Sequence, residues 1–178
     1  MQRELDCWAN EGRTATLWWR DDDAVDITPA LNDLISVSVE GGAPIMLAII
    51  PALLTPEFKT HPFPSGVRLA QHGYTHNNLA PPTAKKSEFS PARKQTDMID
   101  DIIAGFRDVM MLANAISVFV PPWNRMDLAL LPFIQNAGIT AVSAFAARKK
   151  STPVPGLHQV NTHADVMDWR GSRGFAGE

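Results

Sequence analysis

The sequence has few of the features that direct a chain to a membrane, an oxidising compartment or nucleic acid. Cys7 is the only cysteine, so no disulfide can form within the chain and nothing indicates an oxidising compartment. Residues 1–6 are charged and lack the apolar segment of a signal peptide. No apolar run approaches the roughly 20 residues that span a bilayer. We therefore expect a cytoplasmic protein with no membrane partner.

The charge balance argues against nucleic acid as a partner. The net charge is -3 at pH 7, and the short basic clusters, such as Lys85-Lys86, lie between apolar segments. A nucleic-acid-binding domain usually carries a basic patch, so we expect no nucleic-acid partner. The 178 residues, 45% of them hydrophobic, are enough for one globular domain with a substantial core. We predict a single domain over residues 1–178.

Strand-like and helix-like segments alternate along the chain. An aromatic and β-branched run over residues 14–20 ends at Asp21-Asp22-Asp23, which predicts a strand followed by a polar loop. Thr28-Pro29 has the form of a helix N-cap with proline at the first helical position, and Gly41-Gly42 ends that helix. Further strands are predicted at residues 44–50, 67–71, 116–120, 139–144 and 157–160, and further helices from Ser90-Pro91 onward and at residues 127–136.

This alternation is typical of a parallel α/β sheet or barrel. Five or six strands are too few for a closed eight-stranded barrel. We therefore predict an irregular or incomplete (β/α) barrel, and we expect the chain to lack the C-terminal strands. An incomplete barrel exposes a sheet edge, which a second copy of the chain could cover in a homo-oligomer.

Three polar motifs follow three of the predicted strands. They are Asp21-Asp22-Asp23, His72 with its neighbours, and Pro121-Pro122-Trp123-Asn124. The C-terminal ends of parallel strands meet at one edge of a sheet or barrel, where active sites gather. We therefore expect these segments to converge on one pocket.

His72 and His76 form an H-x-x-x-H pair. If the chain turns helical there, residues four apart share a face and both imidazoles can reach one metal ion. A carboxylate would complete a set of two histidines and one aspartate, as in catalytic zinc sites. Two loop histidines bonded to backbone carbonyls are the alternative. The triple aspartate at the same sheet edge favours the metal site, because three adjacent carboxylates repel one another and helix capping needs only one of them.

In this order the motifs resemble those of the metal-dependent polysaccharide deacetylases, carbohydrate esterase family four. That family carries T-F-D-D-G, H-[ST]-x-x-H and R-x-P-x-[YF] motifs, followed by Asp-Trp and Leu-x-His motifs. The matching segments here are Arg20-Asp21-Asp22-Asp23-Ala24, His72-Gly73-Tyr74-Thr75-His76, Val120-Pro121-Pro122-Trp123 and Asp168-Trp169. The resemblance spans residues 14–169 and implies a barrel of the seven-stranded deacetylase type.

The resemblance also implies which residues hold a metal ion. Asp23, His72 and His76 would be the ligands of one divalent ion, with Zn²⁺ as the first choice and Co²⁺, Ni²⁺ or Fe²⁺ as alternatives. Asp22 would then be the general base. A register in which Asp21-Asp22 is the matching pair stays open, although the helix start at residue 28 favours Asp22-Asp23.

The third motif would contribute to substrate binding and to the oxyanion. The backbone N–H of Trp123, which follows Pro122, would help the metal to stabilise the tetrahedral oxyanion. The indole ring would give a flat apolar wall for a substrate ring, although aromatic residues beside strands more often belong to the core. Pro122 and Trp123 are therefore the predicted substrate and oxyanion residues.

Two departures from the family pattern bear on activity. The arginine of the third motif is Val120 here, which removes the partner that orients the base, and Arg125 or Arg20 are the possible substitutes. No Leu-x-His motif follows Trp169, so the general acid is unknown. His158 and His163 lack the context of that motif, and we interpret both as ordinary surface or strand-end histidines.

The function that follows is metal-dependent hydrolysis of an acyl amide, most simply removal of an acetyl group from the nitrogen of a sugar or related small substrate. Without a signal peptide, a soluble intracellular substrate is a better expectation than a cell-wall polymer. Two alternatives stay open. One is an ester or cyclic-amide hydrolase with the same metal site, and the other is a non-catalytic domain that binds metal or ligand.

Overall fold

The computed structural model describes residues 2–14, 16–169, 171–172 and 174–176. Its centre is one sheet of six parallel strands in the order β1-β2-β3-β4-β5-β6, which is also their order along the chain. The strands are β1 Trp19–Ala24, β2 Ile45–Ile49, β3 Val67–His72, β4 Ala115–Val120, β5 Ala141–Val142 and β6 His158–Gln159. The helices are α1 Gln2–Asn10, α2 Pro29–Glu40, α3 Pro56–Thr60, α4 Gln95–Met110 and α5 Leu131–Asn136. The sheet is open, and the predicted incomplete α/β barrel is confirmed.

Strand β2 shows how the sheet is covered on both faces. All five of its residues are buried, as expected of a parallel strand at the centre of an α/β fold. Ile45, Leu47 and Ile49 pack with α2 and α3 in one apolar cluster. Met46 and Ala48, which alternate with them, pack with side chains of β3 and β4 on the opposite face. We call this second face the inner face.

Helices α4 and α5 cover the other half of the sheet. Met98 and Ile102 of α4 and Ile134 of α5 pack against Phe119 of β4 in a further buried cluster. The amphipathic spacing of α4 predicts this contact, but Met110, which the same spacing assigns to the buried face, is 41% exposed. None of the described helices is long and apolar enough to cross a membrane.

Local end signals predict helix α2 correctly. The hydroxyl of Thr28 accepts a hydrogen bond from the Leu31 N–H at 3.1 Å, and Pro29 occupies the first turn. Gly41 caps the C-terminus through a bond from its N–H to Val37 O. Each of these contacts lies within a few residues along the chain, which is why the sequence reveals them.

Several boundaries differ from the prediction, and the differences at β1 and α4 lie nearest the three polar motifs. Strand β1 is not residues 14–20 but Trp19–Ala24, so it runs through the three aspartates instead of ending before them. Its backbone pairs with the fully buried β2, whereas Leu17 before it is 69% exposed. Helix α4 begins at Gln95 and not at Ser90, because Ser90 forms a turn of its own in which the Arg93 N–H bonds to Ser90 O.

Candidate metal centre

The three consecutive aspartates point in different directions because β1 contains a bulge. The pairing of β1 with β2 shifts between Asp22 and Ala24, and Asp23 has a φ of 72°. In a regular strand Asp21 and Asp23 would share a face. The extra residue reorients Asp23, as bulges near functional sites often do. Asp22 lies on the inner face with Arg20, and Asp21 lines a cavity beneath α2.

His72 ends β3 and is oriented by a backbone carbonyl. Its side chain is 3% exposed, and its Nδ1 lies 3.0 Å from Val120 O. A carbonyl only accepts, so Nδ1 carries the proton and Nε2 has the free lone pair in the neutral ring. That Nε2 is 3.1 Å from Asp23 Oδ1. A ring held in this way by its other nitrogen is the usual arrangement of a metal-binding histidine.

His76 reaches the same carboxylate oxygen through a turn and not through a helix. Gly73 and His76 have φ values of 61° and 58°, so the helical turn expected for the H-x-x-x-H pair does not form. The Nε2 of His76 nevertheless lies 3.1 Å from Asp23 Oδ1. One ligand atom each from Asp23, His72 and His76 thus lies within 4.8 Å of the others.

The donor set fits a divalent ion. In the neutral form of both rings, the two Nε2 lone pairs and the carboxylate oxygen are all acceptors, and they would repel one another without a shared cation or proton. Two imidazoles and one carboxylate are ligands that Zn²⁺ and other first-row divalent ions accept.

The pKa shifts favour the deprotonated forms that bind a metal. When the histidines are protonated, the hydrogen bond from His72 and the positive charge of both rings lower the pKa of Asp23 against the opposing effect of burial. Burial lowers the pKa of His76, partly offset by the charge of Asp23. The shift of His76 increases the fraction of its neutral, metal-binding imidazole at neutral pH, where Asp23 is ionised in any case.

Asp21 has the opposite shift and a different environment. Burial, followed by repulsion from Asp22 and Asp23, raises the pKa of Asp21 to about 6. Asp21 lines a cavity beneath α2, together with Asp22, Asp23 and Leu31. The carboxylate that lies next to both histidines is that of Asp23, 3.1 Å from each Nε2.

Left-handed backbone conformations concentrate at this centre. Six described residues other than glycine have positive φ, and four of them, Asp23, His76, Trp123 and Asn124, belong to the three convergent segments. Each such residue costs about 1–2 kcal/mol, so the surrounding contacts must hold it in place. Clustering of strained residues at one point is typical of functional sites.

Arg20 is the arginine that contacts Asp22. Its Nη2 donates to Asp22 Oδ2 at 3.0 Å. Its Nε lies 2.8 Å from Asp22 Oδ1, which makes an ion pair, but the N–H···O angle is too bent for a second hydrogen bond. The guanidinium also donates to Asn124 Oδ1 at 2.9 Å and to Ser143 Oγ at 2.9 Å. Its side chain is 4% exposed. Arg125, the other possible substitute, instead donates to Lys86 O.

The third motif forms one wall of the centre. Residues Pro122–Asn124 make a short 3₁₀ turn directly after β4. The indole of Trp123 lies over the ring of His76, with 4.4 Å between centroids. Trp123 is thus packed on a predicted ligand, beside the point where the three ligand atoms converge.

Glu88 is the residue of this region that sequence reasoning did not identify. It is fully buried, and its carboxylate accepts from the N–H groups of Tyr74, Thr75 and His76 and from the Thr75 hydroxyl. It lies in the loop of residues 77–90, whose sequence has no periodicity that would distinguish one acidic residue.

The later histidines and the fourth motif have other environments. His158 and His163 are exposed, and neither of them is assigned the role of general acid. Asp168 accepts from the N–H groups of Gly171 and Ser172, which makes it part of a local turn. Trp169 is 64% exposed.

Known proteins resemble this chain in structure but not detectably in sequence. No family model and no curated protein sequence matches it. A family 4 carbohydrate esterase from Streptomyces lividans, solved in complex with acetate, superposes with a TM-score of 0.59 at 12% identity, over 84% of this chain and 79% of that one.

Two further structures give the same result. A de-N-acetylase from Aggregatibacter actinomycetemcomitans has a TM-score of 0.60 at 11% identity, over 88% of this chain and 74% of its own. A deacetylase domain from Bordetella bronchiseptica has a TM-score of 0.58 at 16% identity, over 92% of this chain and 76% of its own. The resemblance predicted from the motifs is thus confirmed for the fold, which is that of the polysaccharide deacetylases.

Proposed function

We propose that this protein is a metal-dependent hydrolase that removes an acetyl group from the amide nitrogen of a sugar or related small substrate. The observation that carries the proposal is the convergence of Asp23 Oδ1, His72 Nε2 and His76 Nε2 beside a carboxylate, Asp22, that an arginine holds in place. The deacetylase fold of the structural neighbours supports the same reaction.

Asp23, His72 and His76 would hold the ion, with Zn²⁺ as the first choice and Co²⁺, Ni²⁺ or Fe²⁺ as alternatives. An ion bound there supplies Lewis-acid chemistry, because it withdraws electron density from an acyl oxygen and makes a water molecule more acidic. Three protein ligands leave coordination positions open for water and substrate.

Asp22 would act as the general base that takes the proton from the attacking water. Proton transfer to a positioned base requires a fixed distance and orientation. Arg20 provides both by contacting the two carboxylate oxygens, and Asn124 and Ser143 hold the guanidinium in turn. The part of Asp22 that stays accessible, 31% of its side chain, leaves room for a water molecule.

Pro122 and Trp123 would form the substrate side of the site. The backbone N–H of Trp123 would donate to the oxygen that becomes negative as water attacks the carbonyl. The indole ring would stack against a sugar face. We propose a small N-acetylated sugar derivative as the substrate.

Metal content after purification without chelator tests the ligand assignment. The wild type should carry about one divalent ion per chain, and His72→Ala and His76→Ala should each carry far less. His158→Ala, which removes an exposed histidine of β6, is the matched control and should bind like the wild type. Equal metal content in all four proteins would overturn the proposal.

Acetate release from N-acetylated sugars and acetylated sugar esters, together with ring opening of cyclic amides, tests the reaction. The amide substrates should be hydrolysed, and Asp22→Asn should lower kcat by about 10²–10⁴ while the metal stays bound. Turnover of esters or ring amides alone would identify the alternative hydrolase. Metal binding without any turnover would identify the non-catalytic domain, which the unassigned general acid favours.

A further inference from the structure

Glu88 is a fully buried carboxylate with four hydrogen-bond donors. Thr75 N–H and Oγ1 donate to Oε1 at 2.8 and 3.0 Å, and the N–H groups of Tyr74 and His76 donate to Oε2 at 3.2 and 3.3 Å. Burying a carboxylate is costly unless hydrogen bonds replace its hydration. Three consecutive N–H groups around one anion form a backbone nest, which supplies that replacement.

The residues of this nest are the H-x-x-x-H segment itself. Tyr74, Thr75 and His76 follow His72, so the carboxylate fixes the path of the chain between the two predicted histidine ligands. The left-handed conformation of His76 would not persist in a free loop. The bond from its N–H to Glu88 is one contact that stabilises it.

Gln71 holds the same segment from the opposite side. Its Nε2 donates to Gly73 O at 2.9 Å and to Ile102 O of α4 at 3.0 Å. Gly73 has positive φ, and a Cβ there would overlap the Glu88 carboxylate and the Pro122 ring. The backbone of residues 73–76 is therefore enclosed between α4 and Glu88.

The segment that carries Glu88 is itself anchored. Ser87 Oγ donates to Arg125 O, and the Asp127 N–H donates to Phe89 O at 2.8 Å. Arg93 donates to the backbone oxygen of Glu88 and pairs with Asp101 of α4. Because its own segment is anchored, the Glu88 carboxylate can hold residues 74–76 in a fixed position.

We propose that Glu88 is a positioning residue of the metal centre: its carboxylate, not itself a ligand, holds the segment of residues 73–76 in the conformation that lets His72 and His76 bind one ion. This inference rests on the metal centre proposed above. Both oxygens of Glu88 are occupied by four donors, so they are not available to the ion. A purely structural role would lower the stability of the fold without changing the affinity of a folded protein for metal.

The experiment is a Zn²⁺ titration of the metal-free full chain against a chromophoric chelator, with Co²⁺ absorption spectra as a second measurement. Glu88→Gln replaces one acceptor oxygen by an NH₂ group that faces backbone donors. We expect it to lower Zn²⁺ affinity by about 10–100-fold and to change the Co²⁺ spectrum. Thr75→Val, which removes one donor of the four, should lower affinity less than 10-fold.

Glu57→Gln on the exposed side of α3 is the matched control and should bind like the wild type. Thermal unfolding of each metal-free protein shows whether it is folded. If Glu88→Gln does not fold, Glu88→Asp provides the comparison, because it keeps the charge but moves the carboxylate by one methylene. Wild-type Zn²⁺ affinity and spectrum in the folded Glu88 variant would overturn the inference. If the wild type bound no more Zn²⁺ than His72→Ala does, the proposed function itself would be overturned.

Discussion

Arg20 and Asp22 lie two residues apart on β1 and face the same side of the sheet, where the guanidinium contacts both carboxylate oxygens. Residues at i and i+2 of a strand point to the same face, so one strand supplies both the proposed base and the group that orients it. The arginine of the family motif would come from the end of β4, where this chain has Val120. In this chain the guanidinium beside the proposed base comes from β1.

The first prediction concerns the geometry of this pair. Arg20→Lys keeps the positive charge but cannot make the two-point contact of a guanidinium. We expect kcat for amide hydrolysis to fall at least 10-fold while metal content stays at the wild-type value. Arg125→Lys, which changes an arginine bonded to Lys86 O, is the control and should leave kcat unchanged. Wild-type kcat in Arg20→Lys would show that Asp22 needs no such partner.

The second prediction compares two glycines with the same backbone conformation. Gly73 and Gly42 have φ values of 61° and 60°, but only at Gly73 would a Cβ meet neighbouring atoms. Gly42→Ala should therefore cost about 1 kcal/mol of unfolding free energy, from backbone strain alone. Gly73→Ala should cost about 3 kcal/mol and also weaken Zn²⁺ binding. Urea denaturation measures both, and equal losses would contradict the crowding of Gly73 by Glu88 and Pro122.

The third prediction concerns the dependence of stability on pH. Because the pKa of Asp21 is raised from 3.8 to about 6, the metal-free folded protein binds this proton more tightly than the unfolded chain does. Its contribution to stability is present below pH 4 and is lost as pH rises from about 4 to 6. Asp21→Asn should therefore raise the unfolding temperature of the metal-free protein above pH 6, with a gain that shrinks towards pH 4.

The control for this prediction is Asp33→Asn, which changes an exposed aspartate of α2. Thermal unfolding in the presence of a chelator, at several pH values between 4 and 8, compares the three proteins. A gain for Asp21→Asn that does not vary with pH would contradict the raised pKa.

The fourth prediction concerns metal and stability. A ligand that binds only the folded state stabilises it by about 2.7 kcal/mol at a free concentration 100 times its Kd. Zn²⁺ at that concentration should therefore raise the unfolding temperature of the wild type, and a chelator should reverse the increase. Burial lowers the pKa of His76 below 6.5, so the increase should persist at pH 6.5. His72→Ala should show no increase, and an increase equal to the wild type would exclude His72 as a ligand.

The sequence by itself determined the parts of this protein that depend on short-range signals. Thr28-Pro29 and Gly41 predict α2 because a capping bond joins residues three or four apart. The apolar run over residues 44–50 predicts a strand covered on both faces. The alternation of these elements then predicts parallel strands, and parallel strands bring Asp23 and His72 to one edge. Together with the H-x-x-x-H spacing, the triple aspartate and the family resemblance, this placement predicts the metal centre.

Only the tertiary structure decided how those residues meet. The bulge that reorients Asp23 and the left-handed turn that carries His76 depend on neighbouring segments, since each is unfavourable in an isolated chain. Arg20 contacts Ser143, which is 123 residues away, and Glu88 holds the histidine segment across a loop without periodicity. Contacts of this kind carry no repeating pattern along the chain. Their energy comes from burial and hydrogen bonding between distant segments, which exist only once the sheet has formed.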